Sequence, residues 1–229
     1  MRTTHPALLL ALDTSTRTVG LALYDGVQVL NETVWNSQDY HTVELAPAVA
    51  QALQRAGVGV EALGALGVAT GPGSFTGLRV GLALVKGLAM ARNLPLVGVP
   101  TLDSLAVAQP CLDMPLAAVL RAGRGRLAVG WYSVVDGAWQ PTQNVEVLTL
   151  PELVQKIQQP TLVCGELTKE DRLFLAGERA EIHLASPSQS LRRPSFLAEK
   201  AWKRWKAGQV DDPASLAPVY LHYNEPIPV

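Results

Sequence analysis

The stretch Val68-Ala69-Thr70-Gly71-Pro72-Gly73-Ser74-Phe75-Thr76-Gly77-Leu78-Arg79-Val80-Gly81 carries the reading of the fold. The apolar run 65–69 has the length of a buried strand and passes directly into glycines, a proline and hydroxyl side chains over 70–77. Residues 78–92 are small and apolar at helical spacing. Strand, glycine-rich loop and helix together form an arrangement in which backbone amides at a helix N-terminus can face an anion. The spacing excludes the named phosphate loops: it is G-x-G-x-x-x-G, and no Lys-Ser/Thr pair follows. Nor is it a nucleophile elbow, because Ser74 has Pro72 and Thr76 where that turn needs glycines. A structural explanation stands beside the functional one. Gly71, Gly73 and Gly77 let the loop turn tightly, and Gly81 and Gly87 extend a close-packing helix face.

Working outward, residues 8–13 and 19–24 read as a hairpin, and Asp25-Gly26 turns the chain into a third strand over 27–35. Residues 39–56 change to helical spacing, with Pro47 inside, and 96–99 add a strand. After Pro110 and Pro115 a second meander begins, with strands predicted over 116–121, 127–133 and 139–147. A helix over 151–158, a strand over 161–164, a helix over 168–175, a strand over 182–185 and a helix over 195–207 complete the chain. The repeated order predicts two related α/β lobes, 1–105 and a smaller 106–229, with a cleft between them.

The 229 residues are 48% hydrophobic and 17% charged with a formal net charge of -1, which excludes a disordered chain and a dedicated polyanion binder. Arg2 and the apolar run 7–12 imitate a secretory signal, but the run is short and meets Asp13, so it reads as a buried strand. No run approaches the roughly 18 residues of a membrane span. Cys111 and Cys164 read as reduced thiols of a cytoplasmic protein. Asp13-Thr14-Ser15-Thr16 closes the first strand, where an acid and hydroxyls can face a phosphate and its metal ion. With the glycine loop and the two lobes, it points to the actin-like ATPase and sugar-kinase architecture.

The run from Val68 to Gly81 closely resembles the signature of the TsaB family, formerly YeaZ, of bacterial tRNA threonylcarbamoyladenosine proteins. Leu10-Ala11-Leu12-Asp13-Thr14-Ser15, Lys86-Gly87-Leu88-Ala89, Leu96-Val97-Gly98-Val99 and Ala217-Pro218-Val219-Tyr220-Leu221 resemble further segments of that family. The resemblance implies an actin-like (ribonuclease H-like) α/β fold, two lobes each with a mixed sheet flanked by helices. It also implies a subunit with no catalytic site, no cofactor and no metal of its own, acting with a TsaD-type transferase and a TsaE-type ATPase. Transfer of a threonylcarbamoyl group to the tRNA adenosine beside the anticodon then belongs to the transferase, and this chain meets tRNA through the complex. A nucleotide at a partner interface and a homodimer stay open.

The transferase holds its metal through H-x-x-x-H on a helix. Here the matching segment is His41-Thr42-Val43-Glu44-Leu45, so leucine stands at the second histidine position. That loss argues against a metal-dependent, glycoprotease-like peptidase. A small-molecule kinase of the same fold lacks an acid at the second hairpin, where Arg121 stands. Arg121 and Arg126 stand where the family often carries acids, and with Arg124 between them they could hold an anion. The predicted partner face comprises His41, Leu45 and Val49 on one helix and Thr76, Gly77, Val80, Gly81, Leu84 and Gly87 on the other. Candidate phosphate-facing residues are Asp13, Thr14, Ser15, Gly71, Gly73, Ser74, Arg121 and Arg124. Within the basic, aromatic stretch 192–206, the helix over 195–207 reads as amphipathic, with Phe196, Leu197, Ala201 and Trp205 turned inward.

Overall fold

A computed structural model describes residues 7–38 and 41–221. Three strands form the predicted first meander: β1 (Leu8–Asp13), β2 (Thr18–Tyr24) and β3 (Val29–Asn36). Chain then crosses through α1 (His41–Arg55) to β4 (Leu63–Ala69), and through α2 (Phe75–Arg92) to β5 (Leu96–Val99). The sheet order is β3-β2-β1-β4-β5, antiparallel within the meander and parallel where β4 joins β1 and β5 joins β4.

After α3 (Thr101–Ala106), the second meander is β6 (Leu116–Arg121), β7 (Arg126–Val135) and β8 (Ala138–Pro141). Strand β9 (Glu146–Thr149), helix α4 (Leu150–Lys156), β10 (Thr161–Gly165), α5 (Lys169–Glu178), β11 (Ile182–Leu184) and α6 (Pro194–Lys206) follow. This sheet runs β11-β10-β6-β7-β8, with β10 parallel to β6, so the first sheet's order returns in mirror listing. The repeat inferred from element order is thus a repeat of topology.

Both sheets are covered on both faces, which is why the inner strands are continuously apolar rather than alternating. All six residues of β1 are buried. Leu10, Leu12 and Leu66 pack beneath α1 and α2, while Leu9, Ala11 and Val97 on the opposite face pack against Leu197, Ala198 and Ala201 of α6. Gly67 permits that approach, since a Cβ there would lie 2.9 Å from the Ala201 Cβ. In the second lobe α3 covers one face through Leu102 and Leu105, and Leu153 of α4 and Leu175 of α5 pack on the other.

Several boundaries differ from the expectation. The segment predicted as one strand over 139–147 is two, β8 and β9, both on β7 but along different stretches of it. Helix α2 starts at Phe75 rather than 78, because Ser74 caps it, accepting from the Gly77 amide at 3.2 Å. Helix α3 was unanticipated: six residues after Pro100 are too few to display a period. The expected start of the first helix at 39 lies outside the described residues. A division at 105/106 falls inside α3, and α6, from beyond it, packs on the first sheet. Among the described residues no helix is long and apolar enough to cross a membrane.

Candidate functional site: the interlobe cleft and the helical face

Strands β1, β4, β6 and β10 all end at the seam between the lobes, and a cleft of about 810 Å³ opens there. Ser15, Thr16, Gly73, Ser74, Phe75 and Arg121 line it, with Glu166, Tyr220 and Leu221.

The glycine loop lies against the Asp13–Ser15 turn, backbone to backbone. Ser74 N donates to the Ser15 carbonyl at 2.6 Å, and the Thr14 hydroxyl donates to the Gly77 carbonyl at 2.7 Å. A Cβ at Gly73 would collide with Ser15, and one at Gly77 or Gly81 with Thr14. Gly71, at φ +113°, is covered by the carbonyl of Val219, whose own amide donates to Thr70 at 2.7 Å. The close-packing explanation of these glycines therefore describes their contacts.

The hydroxyls expected to face a phosphate turn inward. Thr14 and Ser15 are fully buried, and the Ser15 hydroxyl shares a 2.8 Å hydrogen bond with Thr101, which also accepts from the Gly71 amide at 3.1 Å. Ser74 is exposed and serves as the α2 cap. Asp13 is 3% exposed, its Oδ1 accepting from Ser15 N at 2.9 Å and its Oδ2 from Arg192 Nε at 2.8 Å. Arg192, equally buried, also donates to the Thr16 hydroxyl at 2.9 Å, the Thr18 carbonyl at 2.8 Å and the Glu166 carboxylate. Thr16 in turn donates to Glu166 at 2.6 Å. Burial by itself lowers the Arg192 pKa, but the Asp13 and Glu166 carboxylates outweigh it and hold the guanidinium above its ordinary value.

Arg121 reaches from the end of β6 to Asp171, which also accepts from Thr168 N at 2.8 Å in the capping box of α5. Arg124 is exposed at the tip of the β6–β7 turn, in the left-handed region at φ +50°. The arginines are thus split between an ion pair within the second lobe and an exposed turn.

Outside the cleft, α1 and α2 border a groove of about 460 Å³ lined by Thr42, Ala46, Phe75, Arg79, Val80, Ala83 and Leu84, with Leu45 at its floor. The expected contact residues divide. Leu45, Val49, Gly77 and Gly81 are buried in the first lobe, whereas Thr76 and Gly87 are exposed and Val80 and Leu84 half-buried at the surface. His41 heads α1, one turn before Leu45. Among the described residues no three His, Cys, Asp or Glu side chains are grouped to hold a metal; His5 and His222 lie outside them. At the groove's end the Arg79 guanidinium stacks 3.7 Å over the Phe75 ring and donates from Nε to the Tyr220 hydroxyl at 3.0 Å.

Sequence reasoning missed Glu166 and Tyr220 as cleft residues and Arg192 as the buried cation beneath them. Arg192 belongs to the basic stretch just ahead of the last helix, and nothing in its neighbourhood in the chain distinguishes it from the exposed Arg193. In α6 itself Leu197 and Ala201 do turn inward, together with Ala198, while Phe196 and Trp205 are half-buried at the rim.

Two lobes of repeated topology around such a cleft define a protein of the actin-like ATPase fold. A solved structure described as YeaZ from Pseudomonas aeruginosa is 26% identical and superimposes with a TM-score of 0.76, covering 94% of this chain and all of that one. The activator of the 2-hydroxyisocaproyl-CoA dehydratase from Clostridium difficile, solved with bound ADPNP, shares the fold at 9% identity and a TM-score of 0.51, over 88% of this chain and 97% of that one. The family model for TsaD, tRNA N6-adenosine threonylcarbamoyltransferase, matches residues 28–201. A tRNA threonylcarbamoyladenosine biosynthesis protein TsaB from Bacillus subtilis is 31% identical over 226 residues, covering 95% of each chain. The chain belongs to the TsaB family of tRNA threonylcarbamoyladenosine biosynthesis proteins.

Proposed function

We propose that this chain is a non-catalytic subunit that docks a TsaD-type threonylcarbamoyltransferase and is required for its modification of the tRNA adenosine adjacent to the anticodon. The observation that carries the reading is the groove between α1 and α2. It presents Phe75, Val80, Ala83 and Leu84 with no acidic side chain in its lining, a concave apolar surface suited to a partner helix. Family membership supplies the pathway, and the inward-turned hydroxyls and paired Asp13 of the cleft support a role other than catalysis. The transferase carries the chemistry and meets the tRNA, a TsaE-type ATPase completes the assembly, and all of it works in the cytoplasm. The chain needs no cofactor of its own; any nucleotide belongs at a partner interface. In the absence of the transferase, the same groove would serve a second copy of this chain.

The test is reconstitution of threonylcarbamoyladenosine formation on tRNA from the cognate transferase, TsaE-type ATPase and adenylate synthase, with and without this chain. Modification is expected only with it, and its ATPase rate alone is expected to be nil. Modification without it, or ATP turnover by the chain alone, would overturn the reading. Ala83→Glu, at an exposed position of the groove, is expected to abolish co-elution with the transferase while the circular dichroism spectrum is unchanged.

A further inference from the structure

The fold has members that hold adenine nucleotides, as the ADPNP-bound dehydratase activator does. A magnesium nucleotide in this cleft would need carboxylate oxygens free to ligate, directly or through water, a small hard cation. The two carboxylates beneath this cleft are already paired with a guanidinium. Both Asp13 oxygens already accept, from Ser15 N at 2.9 Å and Arg192 Nε at 2.8 Å, and Glu166 Oε1 accepts from Arg192 and from the Thr16 hydroxyl, so Glu166 Oε2 belongs to a carboxylate whose charge is already met by a guanidinium. A divalent ion here would also share its ligands with a guanidinium that is 3% exposed and cannot be deprotonated. With their charge neutralised by Arg192, the carboxylates beneath the cleft do not fit a metal nucleotide.

We propose that Arg192 is the resident cation of this cleft, occupying with a side chain the place a divalent ion would take between Asp13 and Glu166. Its three nitrogens engage Asp13, Thr16 and Thr18 of the first lobe and Glu166 of the second. One guanidinium thereby cross-links the two lobes at the base of the cleft, and the interlobe angle is set by covalent sequence instead of by ligand. The consequence is a fold of the nucleotide-dependent type held permanently in one arrangement, blind to magnesium nucleotide. This inference stands whether or not a transferase docks on α1 and α2.

The experiment titrates the isotope-labelled full chain with Mn²⁺ and with Mn²⁺·ATP and reads paramagnetic broadening of amide resonances. In the unaltered protein the Ser15, Thr16, Gly73 and Glu166 signals are expected to stay sharp at millimolar Mn²⁺·ATP; broadening centred on them would overturn the proposal. Arg192→Met leaves two facing carboxylates. It is expected to bind Mn²⁺ at the cleft floor roughly tenfold or more tightly than the unaltered chain, with the gain lost again on adding Asp13→Asn. A folded Arg192→Met that takes up no Mn²⁺ would also overturn it. Should Arg192→Met not fold, Arg192→Lys supplies the second reading: it keeps the charge and is expected to show no broadening, and Mn²⁺ at its cleft floor would count against the proposal as it would in the unaltered chain.

Discussion

Gly77 and Gly81 lie in the first turns of an 18-residue helix, where alanine is ordinarily about 1 kcal/mol more favourable than glycine. Here that rule reverses, because a Cβ at Gly77 meets the Thr14 carbonyl, a backbone atom that cannot turn aside. Gly77→Ala is expected to destabilise the protein by roughly 2 kcal/mol, a fall in melting temperature of about 4–8 °C. Gly87, on the same helix with open space at its Cβ position, is expected to obey the rule, so that Gly87→Ala raises stability by about 0.5–1 kcal/mol. Paired melting curves check both. Glu32 offers a pH test. Burial raises its pKa, but hydrogen bonds from Arg193 and from Ser195 outweigh that and hold it below the usual carboxylate range. Since the folded value is depressed, its contribution is present above the unfolded value near 4.5 and is lost as pH falls through the folded one. Glu32→Gln is expected to flatten the acid limb of a stability-against-pH curve below about pH 4.5 while lowering stability at neutral pH.

At the scale of elements, a start signal and a period are different kinds of information. The period of α2 is visible only from Leu78, whereas the cap at Ser74 sets where the helix begins. Ser74→Ala is expected to cost about 1 kcal/mol in denaturant unfolding, with little change in the slope against denaturant. Helices α4 and α5 carry their caps in sequence, Thr149 with Glu152 and Thr168 with Asp171 three residues on, and both were legible as helices. Strands β8 and β9 were not separable, because both are short and both pair with β7. The face of an element was harder to read than its existence. Small residues along α2 suggested a contact stripe, yet Gly77 and Gly81 face Thr14, whereas Thr76, Val80, Ala83, Leu84 and Gly87 reach the surface.

At the scale of the molecule, the first sheet has one of its faces covered by a helix from the far end of the chain. Leu197, Ala198 and Ala201 of α6 complete the core beneath Leu9, Ala11 and Val97. A fragment of residues 1–105 would leave that face exposed, and it is expected to lack a cooperative melting transition. Adding residues 190–221 as a separate peptide is expected to restore one; calorimetry of the fragment alone and with the peptide checks this. The strap over 211–221 ties the same end down, through the Asp211 carboxylate on the Gly98 amide at 2.7 Å and Val219 on Thr70. The lobes are therefore units of topology but not of chain segment.

Sequence by itself determined the order of strands and helices, the doubling of the lobes, the glycine loop at the mouth of the cleft and the family to which the run 68–81 points. These are local signals, since a period records burial and a glycine cluster records a turn within a few residues. Only the tertiary structure decided what the glycines face, which helix residues reach the surface, and that Asp13 belongs to an arginine 179 positions away. An ion pair between distant residues has no periodic signature, because either member alone looks like an ordinary charged residue of a loop. Its partner is named only when the sheets fold and bring the strand ends to one seam.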